Sequence, residues 1–405
     1  MKSILLLDVG NPLYREFALA SLARQAPVVL VGTSLPEWAK CYVTHWIDID
    51  PEQVDEIAAQ VEQRGIDLFM VVTYYEFYVE AVALLSARFG LRGNSLDTAR
   101  MSRDKRLMRD AFARHDVSSP VSVLAMTDEE IVTAARQIGF PVVIKPRKLA
   151  GSIGVVLAQT EQALQAAIKA RQASEKQIRT RSAIIHETLV ETYVDGPEIS
   201  VESVVVDGEV NIVAVTQKRL GPTPYFEEIG HLVSFEPGGQ ELPPAVVVLV
   251  IAAHRALSVQ WGITHTEIRL GKDGAKVIEL ATRAGGDQIL KLVELASGLD
   301  LFKLLVDGFR GVPLDLRSTR HRVAAIDFIY PPRAGVLDKI QAAEILQPAG
   351  ITSQLVVEAA IGSTLEVPPQ AFLDRAAFII TQADTVHACI AASTAHVRGI
   401  QVVLK

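Results

Sequence analysis

The stretch Trp261–Asp287 reads W-G-I-T-H-T-E-I-R-L-G-K-D-G-A-K-V-I-E-L-A-T-R-A-G-G-D. Two runs rich in strand-forming residues, Ile263–Leu270 and Ala275–Leu280, flank the glycine-bounded sequence Gly271–Gly274. Such a turn between two alternating runs predicts an antiparallel β-hairpin.

Strand pairing that is symmetric about Asp273 places Glu267 directly opposite Glu279. Like charges at opposed positions destabilise a sheet, and a divalent cation between them removes the repulsion. Two carboxylates that face one site suit a hard cation such as Mg²⁺. Arg283 lies on the face of Glu279 if the strand continues. The alternative is a solvent-facing hairpin whose two glutamates each pair with Lys or Arg, and this stretch leaves both interpretations open.

Composition indicates a globular protein without a nucleic-acid partner. The chain has 405 residues, 49% of them apolar, and a net charge of −7 without a basic block, so it has room for two or three domains. Cys41 and Cys389 are far apart, which argues against a disulfide framework and for a cytoplasmic protein. Asp8 interrupts any signal-peptide core, and the longest apolar run, Ala245–Ala253, is too short to cross a membrane.

The first hundred residues alternate between strand and helix patterns. Ile4–Asp8, Val28–Val31 and Leu68–Val72 are predicted strands of a Rossmann-like domain. The first turn, Asp8–Pro12, has one glycine and no G-x-G-x-x-G motif, which argues against a nicotinamide-dependent oxidoreductase. Glu76 follows a strand at the sheet edge where open α/β sheets bind ligands, although an ordinary polar loop is the alternative.

Further along, two lysines stand at unusual positions. Ser102 is the predicted N-cap of a helix, and Lys105 near the start of that helix is unfavourable for the helix dipole, which hints at a function. Lys145 is the last residue of a predicted strand that is bracketed by Pro141 and Pro146. The loop Gly151–Gly154, which includes Ser152, then leads to a second strand and could cradle phosphates through backbone N–H groups. A plain hairpin turn is the alternative.

The rest of the chain is less distinctive. The loop Tyr225–His231 concentrates aromatic and titratable groups, with a satisfied structural histidine as the alternative at His231. Asp300 is a candidate helix N-cap, with Gly308 expected just past the end of that helix. After Arg322 the pattern changes to short strands. We therefore predict domains at 1–98, 99–318 (with a lid subdomain at 119–198) and 319–405.

Taken in order, these pieces resemble the ATP-grasp superfamily of carboxylate–amine ligases. The motifs that carry the resemblance are Ser102–Lys105, Pro141–Pro146, Gly151–Val155, Glu191–Glu198, and the set Glu267, Glu279 and Arg283. The resemblance implies an α/β (α+β) ATP-grasp fold. Its parts would be a Rossmann-like N-terminal domain, a central two-subdomain nucleotide-binding region and a small, mostly antiparallel C-terminal domain.

The resemblance also implies roles for residues, with ATP and Mg²⁺ as cofactors and Mn²⁺ as an alternative metal. Lys105 and Lys145 look like nucleotide-phosphate lysines, Gly151, Ser152 and Gly154 like the lid loop, Glu191, Thr192 and Val194 like the adenine hinge, Glu198 like the ribose contact, and Glu267 and Glu279 like the metal ligands. The family usually has Asn where this chain has Ala281. That departure leaves the number of Mg²⁺ ions open.

Within the superfamily, the chain most resembles the L-amino-acid ligases, which make dipeptides. The shared features are the loop around Glu228 and His231 and the Arg-x-Gly-Gly run from Arg283 to Gly286. With Glu76, these residues look like substrate contacts. The implied reaction joins a small carboxylic acid to an amine through an acyl phosphate, with Lys145 and Arg283 as catalytic groups and with release of ADP and phosphate.

Three other activities compete with dipeptide synthesis. One is a natural-product ligase that closes a ring or uses non-protein amino acids. Another is a carboxylase-type relative that uses bicarbonate, and the third is a nucleotide-binding regulator without catalysis, which Ala281 favours. The sequence leaves the acid, the amine and the oligomeric state open, with a homodimer as one option.

Overall fold

The computed structural model describes residues 2–174, 187–238, 242–345 and 347–405. Within these ranges the strands are β1 (Ser3–Leu7), β2 (Val28–Val31), β3 (His45–Ile47), β4 (Leu68–Thr73), β5 (Ser122–Ala125), β6 (Val142–Pro146), β7 (Val156–Ala158), β8 (Thr188–Thr192), β9 (Glu198–Val206), β10 (Glu209–Leu220), β11 (Glu228–Ser234), β12 (Gly262–Gly271), β13 (Gly274–Ala281), β14 (Val323–Ile329), β15 (Gly335–Ala342), β16 (Thr352–Val357), β17 (Thr364–Leu365), β18 (Ala377–Ala383) and β19 (Ile400–Leu404).

The α-helices of the same ranges are α1 (Pro12–Gln25), α2 (Val54–Gln63), α3 (Val79–Arg88), α4 (Leu96–Arg103), α5 (Lys105–Arg114), α6 (Asp128–Ile138), α7 (Glu161–Ser174), α8 (Pro244–Ala256), α9 (Ile289–Ser297), α10 (Leu301–Phe309) and α11 (Val386–Arg398). Every helix in the described part of the chain is too short or too polar to span a bilayer.

The N-terminal region contains a parallel sheet in the order β3-β2-β1-β4. Strands β1 and β2 are buried along their whole length, as expected for a sheet with helices on both faces. The predicted strand–helix alternation is confirmed. Strand β3 was not predicted, because its three residues include an exposed histidine and show no apolar alternation.

A second sheet, in the order β5-β8-β6-β7, is antiparallel and packs against α6 and α7 around a core of its own. Strands β6 and β7 pair directly, so Gly151–Gly154 lies in the loop between two strands, as predicted. The run Ala183–Glu187, which we predicted to be a strand, lies outside the described residues except for Glu187.

The central sheet has eight antiparallel strands in the order β13-β12-β9-β10-β11-β14-β18-β16. Its edge is the predicted hairpin, with Glu267 opposite Glu279 and His265 opposite Ala281. Strands β14, β18 and β16 extend the same sheet, while β17, β15 and β19 form a separate three-stranded sheet. The domain boundaries given above remain predictions.

Three local expectations were wrong. Helix α4 runs through Ser102, whose hydroxyl donates to the Ala99 carbonyl. The cap of α5 is instead Asp104, whose carboxylate accepts hydrogen bonds from the two backbone N–H groups of Arg106 and Leu107. Gly308 lies within α10 rather than after it, although Asp300 caps that helix as predicted. Finally, α11 went unpredicted.

One apolar core joins the N-terminal sheet to α9, α10 and the central sheet. Leu6 of β1, Leu304 of α10 and Ile326 of β14 all belong to it and are buried. Glu76, just after β4, pairs with Arg283, just after β13. The functional candidates of the N-terminal region are therefore brought beside those of the hairpin.

Candidate active site

A cavity of about 210 Å³ lies between the β6–β8 side of the second sheet and the β12–β13 hairpin. Most of the residues selected from the sequence line it. They are Lys105, Lys145, Gly151, Ser152, Glu191, Thr192, Val194, Glu198, Glu228, Glu267, Glu279, Arg283 and Gly286. Residues up to 181 positions apart in sequence, from Lys105 to Gly286, thus meet at one site.

Glu76 and His231 reach the cavity through other residues. The carboxylate of Glu76 accepts from Nε of Arg283 at 2.7 Å. Nε2 of His231 lies 3.2 Å from the carboxylates of both Glu228 and Asp287. Gly154 belongs to the lid loop without lining the cavity, and its φ of +73° is one that glycine adopts readily.

Lys145 is held by a buried carboxylate. Its Nζ lies 2.6 Å from Glu191, whose carboxylate also accepts from Nε and Nη2 of Arg109 at 2.9 and 3.2 Å. Burial lowers the pKa of Lys145 to about 8, despite the attraction of Glu191. Burial raises the pKa of Glu191, but the charges of Arg109 and Lys145 outweigh it and bring that pKa to about 2. The side chain of the predicted hinge residue Glu191 therefore positions a lysine.

Lys105 links the segment just before the Gly151–Gly154 loop to the hairpin. As the first residue of α5 it is only 5% exposed. Its Nζ donates to the Leu149 carbonyl at 2.5 Å and lies 3.1 Å from the Glu279 carboxylate. This placement explains why a lysine stands at an unfavourable helix start: its charge is used across the cavity.

Lys218, which sequence analysis did not select, is the most densely paired cation of the site. Its Nζ lies 2.5, 2.8 and 3.0 Å from carboxylate oxygens of Glu267, Glu228 and Glu198. Burial lowers its pKa, but the three carboxylates raise it well above the usual range. The ammonium therefore stays charged and holds three predicted site residues around one point.

The two opposed glutamates provide a donor set that fits a divalent cation. Glu267 and Glu279 both line the cavity, and carboxylate oxygens are preferred ligands of Mg²⁺. Each also pairs with a lysine, Lys218 or Lys105. The interpretation as a solvent-facing hairpin is wrong, since both glutamates face the cavity, although the lysine pairs expected with it are present.

His265 lies opposite Ala281. Ala281 stands where the resemblance leads us to expect an Asn with its amide oxygen. Nδ1 of the imidazole is 2.9 Å from the buried carboxylate of Glu202, and Nε2 is 3.4 Å from Glu267. Burial lowers the pKa of His265, but the two carboxylates outweigh it and raise it to about 10. The structure therefore places an imidazolium, and no oxygen ligand, across from Ala281.

A second cluster surrounds Asp287. Its carboxylate accepts from Nη1 and Nη2 of Arg375 at 2.7 and 2.8 Å and lies near His231. Glu228, His231 and Asp287 have ligand atoms within 4.8 Å of one another, but imidazole is a poor ligand for Mg²⁺. These groups form a hydrogen-bonded network at one end of the cavity, which Glu228 and Asp287 line. Asp287 could have been selected from the sequence, since it ends the Arg-Ala-Gly-Gly-Asp run.

Part of the chain matches a known protein family. Residues 138–291 match the family model described as an ATP-grasp domain. Residues 138–291 are therefore similar to an ATP-grasp domain, and the mixed α/β architecture of the chain is the ATP-grasp fold.

Two of the proteins with sequence similarity to this chain are ligases. The alanine–anticapsin ligase of Bacillus subtilis (strain 168) is 30% identical over 275 residues, which are 64% of this chain and 57% of that protein. The D-alanine–D-alanine ligase of Cupriavidus pinatubonensis is 23% identical over 292 residues, 68% of this chain and 84% of that protein. The chain thus spans less than two thirds of the length of the anticapsin-ligase relatives.

Solved structures confirm the fold over the whole chain. The crystal structure of an L-amino acid ligase from Bacillus licheniformis aligns with a TM-score of 0.82 and 20% identity, and covers 100% of this chain and 99% of its own. A phosphoribosylglycinamide synthetase from Anaerococcus prevotii aligns with a TM-score of 0.70 and 17% identity, with 100% of both chains covered. At these identities the likeness establishes the fold alone.

Proposed function

We propose that this chain is an ATP-dependent carboxylate–amine ligase that joins two amino-acid-like substrates through an acyl phosphate. The observation that carries the proposal is the shared cavity, in which two lysines, two opposed carboxylates and Arg283 all face the same space. Phosphoryl transfer needs mainly positioning and charge neutralisation from the protein. These groups supply both.

The nucleotide end lies toward the second sheet. Lys105 and Lys145 would contact the phosphates, and the loop Gly151–Gly154 would cover them. The hinge at the end of β8 would receive adenine beside Val194, whose carbonyl accepts from Nη1 of Arg269 at 3.0 Å. Glu198, which lines the same cavity, would contact the ribose. The arrangement of lid and hinge around one space supports these assignments.

Glu267 and Glu279 would hold Mg²⁺, with Mn²⁺ as the alternative. The bound ion would neutralise charge on the β- and γ-phosphates. Lys218 keeps Glu267 oriented, and Lys105 does the same for Glu279. Ala281 removes one customary oxygen ligand, and the imidazolium of His265 lies opposite that gap.

The acyl end lies around Arg283. In the first step an oxygen of the substrate carboxylate bonds to the γ-phosphorus, the β–γ bridging bond breaks, and ADP leaves. The guanidinium of Arg283, held by Glu76, would stabilise the negative charge that develops on the acyl oxygen. In the second step the amine nitrogen bonds to that carbon, phosphate leaves with the C–O electron pair, and the amine proton passes to a base or water.

Glu228 and Gly286 line the cavity at the acyl end and would contact substrate, and His231, which is bound to Glu228, would orient that carboxylate. Glu228 is bound to both Lys218 and His231, so the substrate end and the metal end share one hydrogen-bonded network. Lys218 therefore holds a carboxylate of the proposed substrate end and one of the proposed metal ligands at a fixed separation.

The experiment is ADP release by the full chain against a grid of carboxylic acids and amines, with bicarbonate as one of the acids. The proposal predicts that ADP release requires an acid together with an amine and that an amide accumulates in equal amount. Hydrolysis that depends on bicarbonate instead would assign the chain to the carboxylase-type relatives. Tight ATP binding without turnover for any pair would indicate a nucleotide-binding regulator.

A further inference from the structure

Arg269, near the end of β12, is a cation in the wall of the cavity and is only 8% exposed. Its guanidinium holds two groups of the proposed nucleotide end at once. Nε donates to the Glu198 carboxylate at 2.9 Å, and Nη1 donates to the Val194 carbonyl at 3.0 Å. The first group is the proposed ribose contact, and the second belongs to the proposed adenine hinge. One side chain therefore fixes these two groups relative to each other.

The hinge segment Val194–Pro197 packs closely against the end of β12. The backbone N–H of Leu270 donates to the Pro197 carbonyl at 2.9 Å. Gly196 has no room for a side chain, since a Cβ at this position would clash with the Leu270 carbonyl. These backbone contacts hold the segment against the strand, and the hydrogen bond from Arg269 then fixes the Val194 carbonyl.

Two aromatic side chains help to keep the guanidinium in place. Its central carbon lies 5.3 Å from the ring centroid of Tyr193 and 5.2 Å from that of Phe226, which is within the range of cation–π attraction. Both aromatic residues line the cavity. A guanidinium is a rigid, planar fork of donors, whereas a lysine ammonium is a point charge on a flexible stem. The two hydrogen bonds of Arg269 thus have a geometry that lysine would not reproduce.

We infer that Arg269 determines the choice of nucleotide base, by presenting the Val194 carbonyl as an acceptor for the amino group at carbon 6 of adenine. The inference rests on the proposed ligase function. A carbonyl oxygen has two lone pairs, so the bond from Arg269 leaves one for a ligand. In the part of the chain that the structure describes, no hydrogen bond uses the backbone N–H of Val194. The hinge therefore offers an acceptor and a donor, which match the amino group and the ring nitrogen N1 of adenine.

Hypoxanthine is the informative comparison, because it differs from adenine only at this edge. It has an oxygen at carbon 6 and a hydrogen on N1, so an acceptor would face an acceptor and a donor would face a donor. A site that hydrogen-bonds one pattern rejects the other, since its polar groups are left unpaired. Arg269 is thus a positioning residue, which acts on the base through the Val194 carbonyl.

The test compares the binding of ADP and IDP, which carry adenine and hypoxanthine, to the full chain with Mg²⁺ by calorimetric titration. For the wild-type chain we expect the Kd for IDP to be at least about tenfold higher than the Kd for ADP. Arg269→Lys keeps the charge but loses the fork of donors. It should raise the Kd for ADP about tenfold and leave the Kd for IDP within about twofold. A merely structural role would weaken both nucleotides equally.

Arg136→Lys is the matched control, because it makes the same substitution in a side chain that is 63% exposed and pairs with Glu161. This variant should keep the wild-type ratio of the two dissociation constants. The wild-type ratio itself and a second variant, Arg269→Gln, which should also lose the preference for ADP, keep the inference testable if the lysine variant does not fold.

Equal affinities of the wild-type chain for ADP and IDP would overturn the inference, as would an unchanged ratio in folded Arg269→Lys or Arg269→Gln. Loss of the preference in either variant, with a melting temperature close to that of the wild-type chain, would support it. Failure of the ligase proposal would appear separately, as selective ADP binding without acid- and amine-dependent ADP release.

Discussion

Glu267 and Glu279 face each other across the β12–β13 hairpin, and each is bound to a different lysine. Nζ of Lys218 lies 2.5 Å from Glu267, and Nζ of Lys105 lies 3.1 Å from Glu279. One lysine belongs to the proposed substrate network and the other to the proposed nucleotide end. The opposed pair therefore joins the two halves of the proposed reaction, and it is the first place to test.

Glu279→Gln should abolish Mg²⁺-dependent turnover while the fold persists. The amide keeps a hydrogen-bond acceptor for Lys105 but loses the charge that a divalent cation requires. We expect a loss of at least about 10–100-fold in activity or metal affinity, the range typical even of outer-shell groups. Steady-state kinetics over a Mg²⁺ titration measure it, together with the melting temperature.

The matched control is Glu294→Gln, which removes a partly exposed glutamate paired with Lys291 on α9. This variant should retain both activity and Mg²⁺ dependence. Activity within twofold of wild type in Glu279→Gln would remove the metal assignment.

The loop Gly151–Gly154 should become protected when nucleotide binds. Gly151, Ser152 and Gly154 have φ values of +68°, +57° and +73°. The loop connects β6 to β7 and lines the cavity. Limited proteolysis of the full chain should slow at this loop when ATP and Mg²⁺ are added. Cleavage that proceeds at the same rate with and without ATP would count against a lid, provided that the sites cut lie within the loop.

The hairpin shows what the sequence could and could not predict. The turn Gly271–Gly274 and the flanking alternation predicted a hairpin, and the predicted facing of Glu267 and Glu279 is confirmed. The turn itself pairs Gly271 with Gly274, so it is centred between Lys272 and Asp273 and not on Asp273. Continued without interruption, that pairing would not place Glu267 directly opposite Glu279. A β-bulge between Glu267 and Ile268 restores the facing pair, and a bulge leaves no reliable signal in a sequence.

Lys218 and Arg375 are site residues that the sequence could not predict. Lys218 is 49 residues from Glu267, and Arg375 is 88 residues from Asp287. Only the tertiary fold brings each pair together, and no local sequence pattern encodes that proximity. Asp104 was missed as a cap for a simpler reason. Ser102 is an equally common cap residue, and the break between α4 and α5, at Asp104, lies only two residues beyond it.

Ala281→Asn should lower the Mg²⁺ concentration needed for half-maximal activity. The Asn carbonyl oxygen restores the ligand that the family usually has at this position. Ala281 is 2% exposed and faces His265, so the larger side chain must share space with the imidazole. The same Mg²⁺ titration used for Glu279→Gln measures the shift. A collapse of activity in a folded variant would show instead that the site depends on alanine.

ATP binding should weaken above about pH 8. Burial lowers the pKa of Lys145 to about 8, so the fraction that carries the phosphate-binding charge falls as the pH rises through that value. The dissociation constant for ATP should then increase toward tenfold per pH unit. Calorimetric titration between pH 7 and 10 measures it.

Lys145→Arg is the control, because a guanidinium remains charged over this range. The ATP affinity of this variant should not change with pH over this range, even if it is weaker than that of the wild-type chain. Parallel pH profiles for the wild-type chain and the variant would show that another group titrates.

The products of ATP cleavage test the proposed reaction most directly. With ATP, Mg²⁺, a productive acid and an amine, the full chain should release ADP and phosphate, and hydroxylamine in place of the amine should trap the acyl phosphate as a hydroxamate. The acid alone should give only slow ADP release, because the closed site excludes water. Formation of AMP and pyrophosphate would indicate an acyl adenylate and would contradict the acyl-phosphate mechanism.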